Sequence, residues 1–351
     1  MKDQTAIVLF NLGGPDHQSA VEPFLLQLFS DREIIRLPGG AALQPLMARA
    51  IAKLRGPSVR ANYRRIGGGS PQLRITRAQA QALEDRLNGG PGGDAYRVFV
   101  AMRYTRPSAE DALTAIAAAG IRRIVTLTLF PHWSKATTGS SRNEFDRTLQ
   151  SPAGRRARFE VTHIEHYAKD PLYLDAMTET VRVAWHEIPA ERRARAVLLF
   201  SAHGLPQRFI DDGDPYVTHI NATRFGILER LNLPNRQLLA FQSRTGPVRW
   251  IRPGTEEILV ELGADGVEDV VIIPLSFVSD HIETLYEVDM LFADVARAAG
   301  ITGYHRPPAL NTRPLFIEAL AGLVLGARRT DFVGGDERAA GPRQMLAAGA
   351  A

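Results

Sequence analysis

The stretch Ala196-Val197-Leu198-Leu199-Phe200-Ser201-Ala202-His203-Gly204-Leu205-Pro206 decides the fold. Its apolar run is continuous rather than alternating, as a strand covered on both faces requires, and such strands belong to parallel sheets. The run leaves through His203, Gly204 and Pro206, so a sharp loop stands at the strand's carboxyl end. The same pattern recurs on either side. Further strands are predicted at Ala6–Leu12, Val98–Tyr104, Ile124–Phe130, Phe159–His163, Gln237–Gln242, Val270–Phe277 and, more weakly, Ile301–His305, with the quoted run supplying Ala196–Ser201. Helical patterns lie between them, as in Ser108–Ala119, Leu172–His186, Pro215–Leu231 and Thr255–Leu262. Strand–helix alternation implies βαβ units with right-handed crossovers.

The eight strands divide into two sets of four, and the first strand of each set runs into a Gly/Pro loop: Leu12-Gly13-Gly14-Pro15 in one, His203-Gly204-Leu205-Pro206 in the other. Their third strands also end alike, in Phe130-Pro131-His132-Trp133-Ser134 and in Pro274-Leu275-Ser276-Phe277-Val278-Ser279. We read a degenerate internal duplication, interrupted in the first half by an insertion of about residues 16–77. From Ile34 to Leu83 no acidic residue occurs, while Arg36, Arg49, Lys53, Arg55, Arg60, Arg64, Arg65, Arg74 and Arg77 do. In open α/β sheets ligands bind beyond the carboxyl ends of the strands, where this insertion begins. A lid or binding wall is the expected role of so long an excursion.

Composition narrows the chemistry. The 351 residues are 45% apolar and 23% charged with a net charge of +4, the balance of a globular chain. This charge points to no nucleic acid. Without cysteine, thiol catalysis, disulfides and thiolate-held iron–sulfur clusters are excluded, and any metal must be held by His, carboxylate, Met or backbone oxygen. No apolar run reaches the roughly 20 residues of a membrane span. The N-terminus shows no signal-peptide pattern, so the expected location is cytoplasmic, with peripheral contact at the inner membrane face.

Two segments carry candidate chemistry. His203, on its strand-end loop, offers an imidazole able to accept a proton or bind a borderline metal near neutral pH. The run Asp280-His281-Ile282-Glu283-Thr284-Leu285-Tyr286-Glu287 should open a helix capped by Ser279 or Asp280, with Glu283 and Glu287 on one face. The glycine-rich runs at 13–15 and 67–71 match no dinucleotide or P-loop pattern. The polar run Thr137-Thr138-Gly139-Ser140-Ser141 reads equally as a carboxylate-binding turn and as a helix cap. Val21, Phe24, Leu25, Leu28 and Phe29 fall at helical spacing beside the basic lid, and part of this stripe is expected to form an apolar lip.

Taken together, the segments resemble the ferrochelatase family from about Ala6 to Leu320. The stretches that carry the resemblance are Leu12-Gly13-Gly14-Pro15, Tyr63-Arg64-Arg65-Ile66-Gly67-Gly68-Gly69-Ser70-Pro71, Met102-Arg103-Tyr104, Thr137–Ser141, Phe200-Ser201-Ala202-His203, Gly213-Asp214-Pro215-Tyr216, Gln242-Ser243-Arg244 with Gly246-Pro247, and Asp280–Tyr286. The resemblance implies an α/β protein of two Rossmann-like lobes, each a four-stranded parallel sheet flanked by helices, with a porphyrin cleft between them. It implies lobes at about 1–165 and 166–305, then a C-terminal helix and flexible tail at 306–351 packing back on the first lobe.

The activity it implies is that of a lyase inserting Fe²⁺ into protoporphyrin IX, the terminal step of haem biosynthesis. His203 and Glu283 are then the catalytic and metal-binding pair, and His281 tunes Glu283. Leu12, Arg55, Tyr63, Met102, Arg103, Tyr104, Trp133, Ser140, Trp250 and Phe277 fall at positions expected near the macrocycle or its propionates. No permanently bound cofactor and no iron–sulfur cluster are expected. Gly204 stands where some members have Ser, Thr245 where many have Val, and Leu291 where the acidic ladder can extend. Alternatives are a coproporphyrin ferrochelatase, a cobalt or sirohydrochlorin chelatase, and a non-catalytic tetrapyrrole carrier.

Overall fold

The structure, a computed structural model, describes residues 4–330 apart from 91–94, 244–245 and 247. Residues 331–351 of the expected C-terminal segment at 306–351 and the motif residues Arg244, Thr245 and Pro247 lie outside the described residues.

Eight strands form: β1 (Thr5–Asn11), β2 (Tyr96–Met102), β3 (Arg123–Thr128), β4 (Glu160–Ile164), β5 (Val197–His203), β6 (Gln237–Gln242), β7 (Asp269–Pro274) and β8 (Gly303–His305). They make two four-stranded sheets ordered β2-β1-β3-β4 and β6-β5-β7-β8, and all six pairings are parallel. The two halves thus share one topology, as the internal duplication predicts. β7 is shorter than the expected Val270–Phe277. At Pro274 the ladder lacks an N–H donor, and after one more bond from Leu275 N–H to the Ser201 carbonyl, 2.9 Å, the chain turns away.

Both faces of each sheet are covered. Along β1, Ile7 and Leu9 join one core cluster while Ala6, Val8 and Phe10 join another on the opposite face, the period-2 alternation of side chains in a strand. Along β5, Leu198 and Phe200 enter the first of these clusters and Val197 and Leu199 a third. The first cluster therefore contains side chains of both sheets, joined through the helices Pro171–Glu187 and Pro314–Thr330. The C-terminal helix packs on β3, β4 and the first lobe's crossover helix as well as on Pro171–Glu187.

The insertion folds as helices α1 (Val21–Ser30) and α2 (Gly40–Arg65), which pack on each other. Helix α3 (Gln72–Asn88) runs through the expected boundary at 77 and packs on β2, closing the first crossover. The lid has its own small core of Val21, Phe24, Leu25, Phe29, Ala48, Ala52, Tyr63 and Tyr104. That assigns the 21–29 stripe largely to packing; the exposed leucines are instead on α2, at Leu43, Leu46 and Leu54.

Candidate active site

In each sheet the first strand has its partners on both sides, so the crossovers diverge there and leave a crevice at the carboxyl ends. In the second lobe that crevice is flanked by His203, the last residue of β5, and by the loop after β7. His203 is held at both backbone groups: its N–H donates to Ser276 Oγ at 2.8 Å, and its carbonyl accepts the Tyr216 hydroxyl at 3.0 Å. Tyr216 and Ser276 hydroxyls meet at 2.6 Å.

With the backbone fixed, the imidazole Nδ1 lies 2.8 Å from Glu283 Oε2, a contact spanning 80 positions of sequence. The same oxygen accepts the Ser243 hydroxyl at 3.0 Å and Gln242 Nε2 at 3.3 Å. The His203 side chain remains 33% exposed and that of Glu283 15%, so the pair faces the crevice without being sealed from it. Burial works against the imidazolium, but the Glu283 carboxylate outweighs it and lifts the His203 pKa above its usual range. Burial likewise pushes Glu283 up, and the His203 charge and hydrogen bond outweigh it, holding Glu283 well below the usual carboxylate range. Both shifts favour the charged pair over the neutral one.

Glu283 begins a ten-residue π-helical segment, Glu283–Phe292, where an ordinary helix was expected. As expected, Glu283 and Glu287 share a face: the Ser243 hydroxyl also contacts Glu287 Oε2. One hydroxyl proton cannot serve two carboxylates, so one of the two contacts needs an acid proton. Glu287 is the group that keeps one, because burial and the neighbouring Glu283 charge push it up to about 7. Ser243 adopts φ 63 to reach both, a left-handed conformation uncommon outside glycine and asparagine.

His281 lies behind the pair. Its Nδ1 approaches the Ser279 carbonyl at 3.1 Å, which fixes Nδ1 as the protonated nitrogen. Nε2 is buried without a hydrogen-bond partner among the described residues and lies 4.0 Å from Glu283 Oε1. Burial keeps this imidazole neutral, below its usual pKa. Phe277 sits between the two histidines, its ring 5.9 Å from His203 and 4.0 Å from His281.

A family model described as Ferrochelatase matches residues 4–327. The chain belongs to the ferrochelatase family. Among the most similar relatives are the ferrochelatases of Geotalea daltonii, 52% identical over 92% of this chain and 98% of that protein, and of Synechocystis, 44% identical over 92% and 82%. Among solved structures, SirB from Bacillus subtilis with Fe³⁺ superposes with a TM-score of 0.52 at 13% identity, covering 94% of this chain and 97% of that one. That likeness concerns the two-lobed α/β fold alone.

The other expected positions of this ferrochelatase-family chain fall in four places. Tyr63 is buried and close enough to Glu283 for that charge to add to burial in raising its phenol. Trp250 is half-buried and bridges to Pro206 on the His203 loop, its indole N–H buried without a partner among the described residues. Met102 is buried at the end of β2 and Leu12 packs on the lid core. A second group gathers on Asp31, which no sequence pattern flagged. Its Oδ2 accepts Arg103 Nη2 at 2.7 Å, the Tyr104 hydroxyl at 2.8 Å and the Ser140 hydroxyl at 2.8 Å, tying the end of α1 to the first lobe. Burial raises Asp31, but Arg103 and these hydrogen bonds leave it below its usual value. Arg55 stands apart on the lid, 5.7 Å over the Phe29 ring.

Trp133 belongs to a clasp between the lobes. Its backbone N–H donates to His219 Nδ1 at 3.1 Å, His132 Nε2 lies 2.9 Å from Thr223 Oγ1, and Asp214 Oδ2 accepts both the Ser134 hydroxyl at 2.9 Å and the Lys135 backbone N–H at 2.8 Å. On the far side Gln79 Nε2 of α3 donates to Ser279 Oγ at 3.0 Å and to the Asn311 carbonyl at 2.8 Å. Asp214 lay within a quoted motif; His219, Thr223 and Gln79 had no signal.

Proposed function

We propose that this ferrochelatase-family enzyme inserts Fe²⁺ into protoporphyrin IX to form protohaem, releasing two protons. The observation that carries the proposal is the His203–Glu283 pair, 2.8 Å apart at the mouth of the crevice, with the free Nε2 of His281 behind it. Insertion has to remove two pyrrole protons and replace water around the cation. Imidazole with carboxylate suits Fe²⁺, and Co²⁺ and Zn²⁺ as well. In the resting pair the imidazole proton is held by Glu283. A dication arriving beside Glu283 withdraws that stabilisation, frees the proton, and leaves His203 as base or ligand. His281 Nε2 supplies a second acceptor, and Glu287, near neutrality, lets a further proton be exchanged through Ser243.

A planar macrocycle presents its nitrogen lone pairs poorly to an approaching ion, so binding it bent moves it towards the transition state. Phe277 and Trp250, both partly exposed, supply ring surface for that contact. Arginines of the lid, Arg55 among them, suit pairing with propionates. The exposed Leu43, Leu46 and Leu54 of α2, interleaved with Arg49 and Lys53, support an apolar macrocycle and a peripheral membrane contact through this helix. No helix among the described residues is long and apolar enough to cross a membrane.

Anaerobic incubation with Fe²⁺ and protoporphyrin, followed by haem absorbance, tests the activity; coproporphyrin run in parallel tests the side-chain preference. His203→Ala is expected to abolish insertion while porphyrin binding, followed by fluorescence quenching, stays within a few-fold of wild type. Wild-type turnover by that variant overturns the assignment.

A further inference from the structure

The π segment Glu283–Phe292 contains no glycine or proline, so its wide winding has to be imposed from outside. The agent stands just after β8. The Arg306 guanidinium bonds Asp289 through both Nε and Nη2, the latter at 2.9 Å from Oδ2. Its Nη1 reaches Asp280 Oδ1 at 3.3 Å. Asp280 is fixed in turn, its Oδ2 accepting Asn311 Nδ2 at 2.9 Å and its N–H donating to Asn311 Oδ1 at 3.0 Å. The Arg306 side chain is 15% exposed, so screening by solvent is limited. From the neighbouring strand, the Tyr304 hydroxyl donates to the Val288 carbonyl at 2.6 Å.

Asp280 stands at the entrance of the helix and Asp289 inside it, nine positions on. Asp280 lies on non-helical backbone three positions before Glu283, whereas Asp289 lies within the π segment. One guanidinium bonded to both carboxylates therefore ties the wide winding to the chain that leads into it. Glu283 and Glu287 lie between the two anchor points, on the face that meets Ser243 and His203.

We propose that Arg306 is a positioning residue for metal insertion: by clamping Asp280 to Asp289 it holds Glu283–Phe292 in the π winding and thereby presents Glu283 to His203. The inference deepens the chelatase reading and rests on it. Arg306 touches neither member of the pair. Its planar fork is what lets one side chain serve two carboxylates, and lysine, a point charge, satisfies only one of them well.

The test compares R306M, R306K, D289N and the R306M/D289N double variant in the full chain. For R306M, kcat is expected to fall about tenfold or more while the porphyrin Kd from fluorescence quenching stays within about twofold, the split of a group that acts on the reacting pair rather than on substrate binding. Amide exchange at residues 286–292 should quicken by about tenfold, because the winding has lost its tie. R306K should recover part of kcat, and the double variant should be no slower than R306M, since both changes break one contact. Wild-type kcat in a folded R306M, an equal loss of porphyrin affinity, or additive single losses would each overturn the proposal. Should R306M fail to fold, D289N and R306K decide it on the same readouts. If the wild-type chain inserts no iron, the chelatase reading fails on its own, and the exchange rates still show whether Arg306 holds the winding.

Discussion

Replacing Glu287 by glutamine should change how the stability of the protein depends on pH. Folding lifts this carboxyl from an ordinary 4.5 to about 7. A carboxylic acid whose folded pKa lies above its unfolded value binds protons more tightly when folded. Its contribution is therefore fully present below the unfolded value and is lost as pH rises through the folded one. The wild type therefore loses about 2 kcal/mol from this group between pH 5.5 and pH 8, and about 3 kcal/mol in all. E287Q keeps the shape and a polar contact to Ser243 but cannot ionise, so its stability curve lacks that component. Urea denaturation of both proteins at pH 5.5, 7 and 8, without metal or porphyrin, measures the difference. The variant should gain on the wild type by about 2 kcal/mol across that range. Parallel curves would refute the reasoning, and with it the account of two carboxylates sharing the Ser243 proton.

The clasp and the lid yield two further expectations. D214A strips acceptors from the Ser134 hydroxyl, Lys135 N–H and Tyr216 N–H in a buried place, so a loss of about 3 kcal/mol or more is expected in chemical denaturation. A loss below about 1 kcal/mol would mean that water replaces the carboxylate. Leu46 and Leu54 are 67% and 82% exposed; L46E with L54E should weaken binding to anionic vesicles by about tenfold or more. Unchanged vesicle sedimentation would remove α2 from any membrane role.

How much was legible in the sequence follows from the range of each interaction. The strands were, because a parallel strand buried on both faces is written as a local apolar run; β4 came out one residue later than expected, and β8 kept only three residues. His203 was legible as a strand-end imidazole, and Glu283 and Glu287 as one helical face. Their convergence on each other and on Ser243 spans 40 to 80 positions, and no local pattern encodes it. Only the family resemblance linked the pair. Asp31 illustrates the opposite limit: its partners lie 72 to 109 positions away, and an aspartate closing a helix looks like any surface residue. The winding of Glu283–Phe292 was invisible for the same reason, since the residues that impose it, Tyr304 and Arg306, come from another element.

The shared core of the two sheets, with its hydrogen-bonded clasps, bears on how the protein melts. Lobes counted by strands suggest two folding units joined by a seam. Yet Ile7 and Leu9 of β1 share a single apolar cluster with Leu198 and Phe200 of β5, and Gln79, Thr223 and Asp214 each bury a polar group whose mate is on the other lobe. Separating the halves would uncover that apolar surface and orphan those groups together, so neither half has a stable partly melted form to rest in. Calorimetry should record one endotherm with matching van't Hoff and calorimetric enthalpies, and a fragment ending near residue 165 should expose enough hydrophobic surface to aggregate.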